Sequence, residues 1–446
     1  MTAPTAPGVG DPRADAAHLL RRAGFGGRPE EIDAAAKQGY EATVDALIAG
    51  PWPPGAAGAG PSDDPALGPD PGYGGDPAAR KAADQQRAQQ EQTLTAWWLD
   101  RMARAGAPLV EKRTFFWHGH WATSEQKVRS PQLMLTQNRT LRTAGGGDFG
   151  ALAHLMVRDP AMTVWLDASG STRKAPNENL ARELMELFTL GVGNFTETDV
   201  REAARALTGW RLDRATGQVS FHPETHDSGS KSVLGHSGDF DADALVDLLV
   251  DQPASHDYLI TRLWNRLAAP GAVPAAAMTR LLAAYGPGRD VTALLKALLL
   301  DPEFRGATAR GALVKQPVEY VVGVLRMLGI RVDSGPGRSR DTLLGTLRAL
   351  GQLPFEPPNV GGWPSGGAWL TTAAAQTRLT FAQWAVTAGD LGPVTSAAPA
   401  SRVDAAARLL GVDAWTPRTR AALQQVADDP RELLVLALVA PEYLVN

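Results

Sequence analysis

The chain has 446 residues, with 44 Lys plus Arg against 48 Asp plus Glu and no cysteine. That length buries a substantial core, in one large domain or roughly two to three ordinary ones. A formal charge of −4 supplies no field to hold nucleic acid or an anionic membrane, and without cysteine there is no disulfide, thiolate zinc site or cysteine nucleophile.

Residues 1–13 are rich in Pro and Gly and are expected to be disordered. They show no basic stretch followed by an apolar run, so the expected location is cytoplasmic. No apolar run approaches the ~20 residues of a membrane span. Helices are predicted over Asp15–Gly24, from Pro29 to Gly39 and over Tyr40–Ala49, giving an N-terminal helical segment at 14–49. His18, beside Leu19 and Leu20, reads as a satisfied core histidine. Residues 50–75, saturated with Pro, Gly, Ala and Asp, read as a long loop. The main helical domain is expected to fill 76–446, with 14–49 packed on it.

Asp76 and Pro77 form a cap and first-turn pair for a helix running to Arg104, with Trp97, Trp98 and Met102 at its apolar end. In KRTFFWHGHWATSEQ (Lys112–Gln126), Phe115, Phe116, Trp117 and Trp121 demand burial and surround His118 and His120. On a helix these imidazoles diverge by roughly 160°, so only one of them can join a shared site. Each is either a core histidine bonded to a carbonyl or a ligand or general base. The phrase ALAHLMVRDPAMTVWLD (151–167) has counterparts in LLKALLLDPEFR (294–305) and LLVLALVAPEYLV (433–445). They form a weak helix-turn repeat, or three separate uses of Pro as a stop.

Asn177–Trp210 reads as two helices, the first capped by Asn177 and stopped at Gly191 and Gly193, the second opened by Thr196 and Asp199. At ~100° per residue, Leu180, Leu184, Leu187, Phe188 and Leu190 form an apolar arc, with Glu183 inside it and Glu186 and Asn179 at its margin. A carboxylate in an apolar stripe needs a partner, a metal or a raised pKa. Arg211–Phe221 alternates around Gly217 as a short hairpin. The loop-like Phe221–Phe240 holds His222, His226 and His236, three of the eight histidines, together with Asp227 and Lys231, in no standard metal-ligand spacing.

His256–Ala268 and the segments after it are predicted as ordinary amphipathic helices. They are interrupted at Leu350–Arg378, where four prolines and five glycines surround Asn359 and two tryptophans, Trp363 and Trp369. Those two indoles read as a ligand platform or as lids on the core.

Several separated strings, in one order, resemble the bacterial domain-of-unknown-function 1800 family. They are HLLRRAGFG (His18–Gly26), FFWHGHWATS (Phe115–Ser124), NENLARELMELFTLGV (Asn177–Val192), LTGW (Leu207–Trp210), HDSGSKSVLG (His226–Gly235) and PPNVGGWPSG (Pro357–Gly366). The resemblance covers nearly the whole chain and implies a largely helical protein from a family whose members are commonly exported. Many relatives have His in ELHTLG where this chain has Phe188. The family's motif positions fall on His118, His120, Asn177, Glu178, Arg182, Glu183, Glu186, His226, Asp227, Lys231, Asn359 and Trp363, a chemistry that suggests a polar pocket.

The expected fold is therefore mainly α, a large multi-helix domain with one small β-hairpin and long Pro/Gly-rich loops. The expected activity is a hydrolase or lyase on a glycan or cell-envelope polymer. Glu183 and Glu186 supply acid/base chemistry, with His118 or His120 as a second acid/base or ligand. Asn179, Arg182, His226, Asp227, Lys231, Asn359 and Trp363 are the expected substrate-binding residues. Two alternatives stand beside it: a histidine–carboxylate enzyme with a single divalent metal, and a non-catalytic helical binding or assembly protein.

Overall fold

Proline punctuates this chain, and helix after helix takes its start from one. A computed structural model describes residues 10–50, 52, 64–72, 74–332 and 338–446. An opening cluster is made by α1 (Pro12–Ala23), α2 (Pro29–Gln38) and α3 (Tyr40–Ala49). The long α4 (Pro77–Arg104) is capped by Asp76, whose carboxylate accepts the Ala79 N–H at 2.8 Å. After it come α5 (Pro108–His120), α6 (Glu125–Val128), α7 (Pro131–Ala144), α8 (Phe149–Val157) and α9 (Pro160–Trp165). Then α10 (Glu178–Glu183) runs on as a π-helical segment, Leu184–Thr189, and α11 (Glu197–Ala206) follows.

Past four short strands lie α12 (Ala242–Val250), α13 (Pro253–Leu267), α14 (Ala275–Tyr285), α15 (Val291–Leu300), α16 (Pro302–Arg305) and α17 (Pro317–Met327). The chain closes with α18 (Arg338–Ala349), α19 (Thr372–Ala388), α20 (Gly392–Thr395), α21 (Arg402–Leu410), α22 (Pro417–Gln425), α23 (Pro430–Val439) and α24 (Pro441–Leu444). The fold is mainly α, as expected. No helix among the described residues is long and apolar enough to cross a membrane. The three similar phrases share one arrangement: α8, α15 and α23 each break before a proline that opens a short helix.

Two expectations need correction. The segment expected to be disordered, 1–13, already enters α1 at Pro12, while its residues 1–9 lie outside the described ones. The second correction is an added hairpin. Besides β1 (Trp210–Asp213) and β2 (Gln218–Phe221), which pair antiparallel as predicted, β3 (Lys231–Val233) and β4 (His236–Gly238) pair inside the stretch read as a loop. Their turn puts Leu234 at φ 52° and Gly235 at φ 80°. That left-handed pair suits a tight hairpin, but a leucine there and three-residue strands give no alternating signal. Of the 50–75 loop, 51, 53–63 and 73 lie outside the described residues; 64–72 runs against α4, where the Gln90 amide donates to the Leu67 and Pro69 carbonyls at 2.7 and 2.9 Å.

Two apolar cores result. One is built around Leu19, Trp117, Phe149, Phe188 and Leu263, the other around Trp98, Tyr320, Leu347, Phe381 and Leu434. Helix α5 serves both, sending Phe116 and Trp117 to the first and Phe115 to the second. At the junction lies a buried charge cluster. Glu319 of α17 accepts from Lys112 of α5, lies 3.5 Å from Arg266 of α13 and accepts the Asn446 amide at 3.4 Å. Arg22 of α1 donates to the Leu267 and Asn446 carbonyls at 3.2 and 2.9 Å. Burial alone would raise the Glu319 pKa, yet Arg266 and Lys112 pull it down to about 2.

Candidate functional site

The segment after Pro176 is fixed at its start by Asn177. Its side-chain oxygen accepts the Leu180 N–H at 3.1 Å, and its amide donates to the Leu166 carbonyl at 2.8 Å. From Leu184 the helix widens: the Leu190 N–H reaches back to the Met185 carbonyl at 2.7 Å, and the Thr189 hydroxyl bonds the Leu184 carbonyl at 2.7 Å. A wheel drawn at ~100° per residue assumes α-helix throughout, so its arc drifts once the turn widens. The buried positions are Leu180–Ala181, Leu184–Met185 and Phe188–Leu190. Glu183 lies between them and is half-buried rather than inside the apolar stripe; Glu186 is half-buried too, and Asn179 is exposed. Arg182 forks onto Glu197 with two bonds of 2.7 Å. Partial burial raises the Glu183 pKa, and the Glu186 charge raises it further against the pull of Arg182. Among the described residues no hydrogen bond or ion pair engages Glu183 or Glu186.

The widened turn frees backbone carbonyls, and two side chains collect them. Tyr258 of α13 donates its hydroxyl to the Leu187 carbonyl at 2.8 Å, and His120 gives Nε2 to the Phe188 carbonyl at 3.0 Å. With Nε2 as donor, the His120 Nδ1 carries the lone pair, sealed among Phe116, Trp117, Trp121 and Phe188 with no partner. Burial, helped by the Arg262 charge, pushes its pKa down to about 3. His118 takes the other role, accepting the Phe355 N–H at 2.9 Å between Trp98 and Trp363. Burial holds it at about 3 as well. The two imidazoles diverge as helical spacing requires. Neither hydrogen-bonds Glu183 or Glu186; His120 reaches only the backbone that follows them.

A cleft of about 280 Å³ opens between α5, α13 and the loop after Pro357. Phe115, Phe116 and Gly119 come from α5, Tyr258, Thr261, Arg262, Asn265 and Arg266 from α13, and Gln316, Gly361, Trp363 and Ser365 close the ring. Gly362 sets the loop against the helix. Its φ is +84°, and a Cβ there would lie 2.6 Å from the Gly119 carbonyl oxygen. Asn359 shapes the turn by accepting the Gly361 N–H at 2.9 Å. Of the predicted residues Trp363 alone lines the cleft. The α13 residues went unpredicted, although Tyr258, Arg262 and Arg266 recur every fourth position on one face. Tyr258 joins the two regions: its ring lines the cleft, its hydroxyl holds the π-helical segment, and Glu186 helps burial raise its pKa.

One sequence-family model, described as a protein of unknown function (DUF1800), matches residues 18–445. The chain belongs to the DUF1800 family. No curated protein and no solved structure matches it. The structure gives many DUF1800 motif residues a place in the scaffold. Asp227 forks onto Arg205 of α11 at 2.8 and 3.1 Å, and the His226 Nδ1 lies 3.0 Å from the Thr208 carbonyl. The Lys231 side chain is fully buried and donates to Asp239 at 2.8 Å. Backbone N–H groups of Ser232 and Leu234 complete the docking of the hairpin, onto Glu202 and Asp199. Asp227 thus ties the segment to α11, His226 ties it to Thr208 just beyond that helix, Lys231 pairs with Asp239 after β4, and none of the three lines the cleft. Among the described residues no group of three or more His, Asp or Glu is placed to hold a metal ion.

Proposed function

We propose that the protein is a hydrolase or lyase acting on a glycan or related cell-envelope polymer. The cleft binds a stretch of the polymer, and Glu183 and Glu186, on the segment that Tyr258 ties to it, supply general acid and base. One observation carries this reading: two half-buried carboxylates, three residues apart and with no hydrogen bond or ion pair among the described residues, sit on the segment that Tyr258 of the cleft wall holds through the Leu187 carbonyl. Glu111, by contrast, is held by Arg101 and Arg142. Glu183, with its pKa raised by partial burial and by Glu186, is suited to donate a proton to a leaving oxygen. Glu186 would then act as the base, on water in a hydrolase or on a ring proton in a lyase.

The test is release of reducing ends from a panel of envelope glycans. Glu183→Gln and Glu186→Gln should each cut turnover by roughly 10²–10⁴-fold with the fold unchanged by circular dichroism. A wild-type protein inert across the panel, or glutamine variants as active as it is, would sink the reading.

A second reading has its own support. His118, His120, Asn177, Asp227 and Lys231 each hold backbone or a neighbouring side chain, the pattern of a binding or assembly protein whose motifs fix a shape. It predicts ligand binding with no turnover in any variant. For the metal-dependent alternative the described residues offer no donor set.

A further inference from the structure

We infer that the ligand of the cleft carries a carboxylate, and that Arg262 is the residue that reads it. The inference takes the cleft to be the substrate site proposed above, but it does not depend on the Glu183 chemistry. Two arginines and no acid line the cleft. Arg266 is already answered: it lies over the Phe115 ring at 5.0 Å and pairs with Glu319 at 3.5 Å. Arg262 is not. It rests beside the Tyr258 ring, 5.8 Å from its centroid, and no carboxylate pairs with it among the described residues.

The remaining polar lining groups are neutral. Asn265 is engaged with Thr261 and Gly271. Gln316 accepts the Gln352 amide at 2.6 Å, while its own NH₂ donates to no described protein group. The Trp363 indole N–H is sealed from the cleft and adds no donor to it. A half-open wall with one uncancelled cation, the free Gln316 amide NH₂ and no acid favours an anion over a neutral ligand. One uncancelled charge matches a monoanion, and the guanidinium fork fits the two oxygens of a carboxylate. Phe116 and Trp363 offer apolar faces for the body of the same ligand. An acidic sugar unit, a uronate or a lactyl-ether sugar, combines those features.

Calorimetric titration with tetragalacturonate and with neutral cellotetraose tests this. Wild-type protein should bind the acidic oligomer at least about tenfold more tightly, with affinity falling as salt is added. Arg262→Gln should erase the preference and Arg262→Lys should keep part of it. Equal binding of both oligomers, unchanged by Arg262→Gln, overturns the carboxylate assignment and leaves the cleft standing. Binding of neither removes the cleft and the assignment together. Displacement of tetragalacturonate by inorganic phosphate at lower concentration than by acetate would overturn the carboxylate in favour of a phosphate.

Discussion

His120 shows how much of this protein's chemistry is turned inward. It is 1% exposed, and its one hydrogen bond collects a carbonyl that the widened helix leaves free. His120→Ala should cost about 3 kcal/mol, from the cavity and the orphaned Phe188 carbonyl. His120→Gln can restore the donor and should cost less; urea unfolding measures both. His118 and His120 are also held neutral, at about 3 against an ordinary 6.5. The unfolded chain takes up those protons first, so their stabilisation is full above about 6.5 and is lost as pH falls toward 3. Glu125 runs the opposite way, because burial raises it from 4.5 to about 8. Its contribution is full below 4.5 and is lost as pH climbs to 8, and Glu91, raised by burial and a bond to Glu356, adds to that loss. Stability should therefore be greatest between about 4.5 and 6.5, and Glu125→Gln should flatten the alkaline limb of a urea midpoint against pH.

At the scale of single elements, starts and stops were plain from residue type and the interior of one key helix was not. Asn177, Asp76 and the Thr196–Asp199 box cap the helices assigned to them, and Gly191 and Gly193 stop α10 at φ 79° and 86°. What hid the π-helical segment is that it depends on distant partners. Tyr258 and His120 stabilise carbonyls that no neighbour in sequence can reach. The cleft was half hidden for the same reason, since α13 carries ordinary leucines on its buried side and its Tyr258–Arg262–Arg266 face gains meaning only against Trp363. The loop that brings Trp363 there depends on Gly362. Gly362→Ala should destabilise by about 1–3 kcal/mol, from the positive φ and the clash with Gly119. It should also weaken ligand binding in the cleft, because the loop must lift from α5; a thermal melt paired with titration separates the two effects.

Across the whole molecule, the two apolar cores meet at one anion surrounded by cations. Glu319→Gln would leave Lys112 and Arg266 buried without their counter-charge, an expected loss of about 3–5 kcal/mol in guanidinium unfolding. Neither half carries its own remedy: Lys112 and Arg266 come from before residue 270 and Glu319 from after it, while α5 contributes aromatic rings to both sides. Heat should accordingly melt the protein in a single calorimetric peak, not two. A joint of this kind makes the architecture indivisible. A gene fragment ending on either side of residue 270 would inherit a stranded charge with no mate, so the scaffold can be handed on only as one piece.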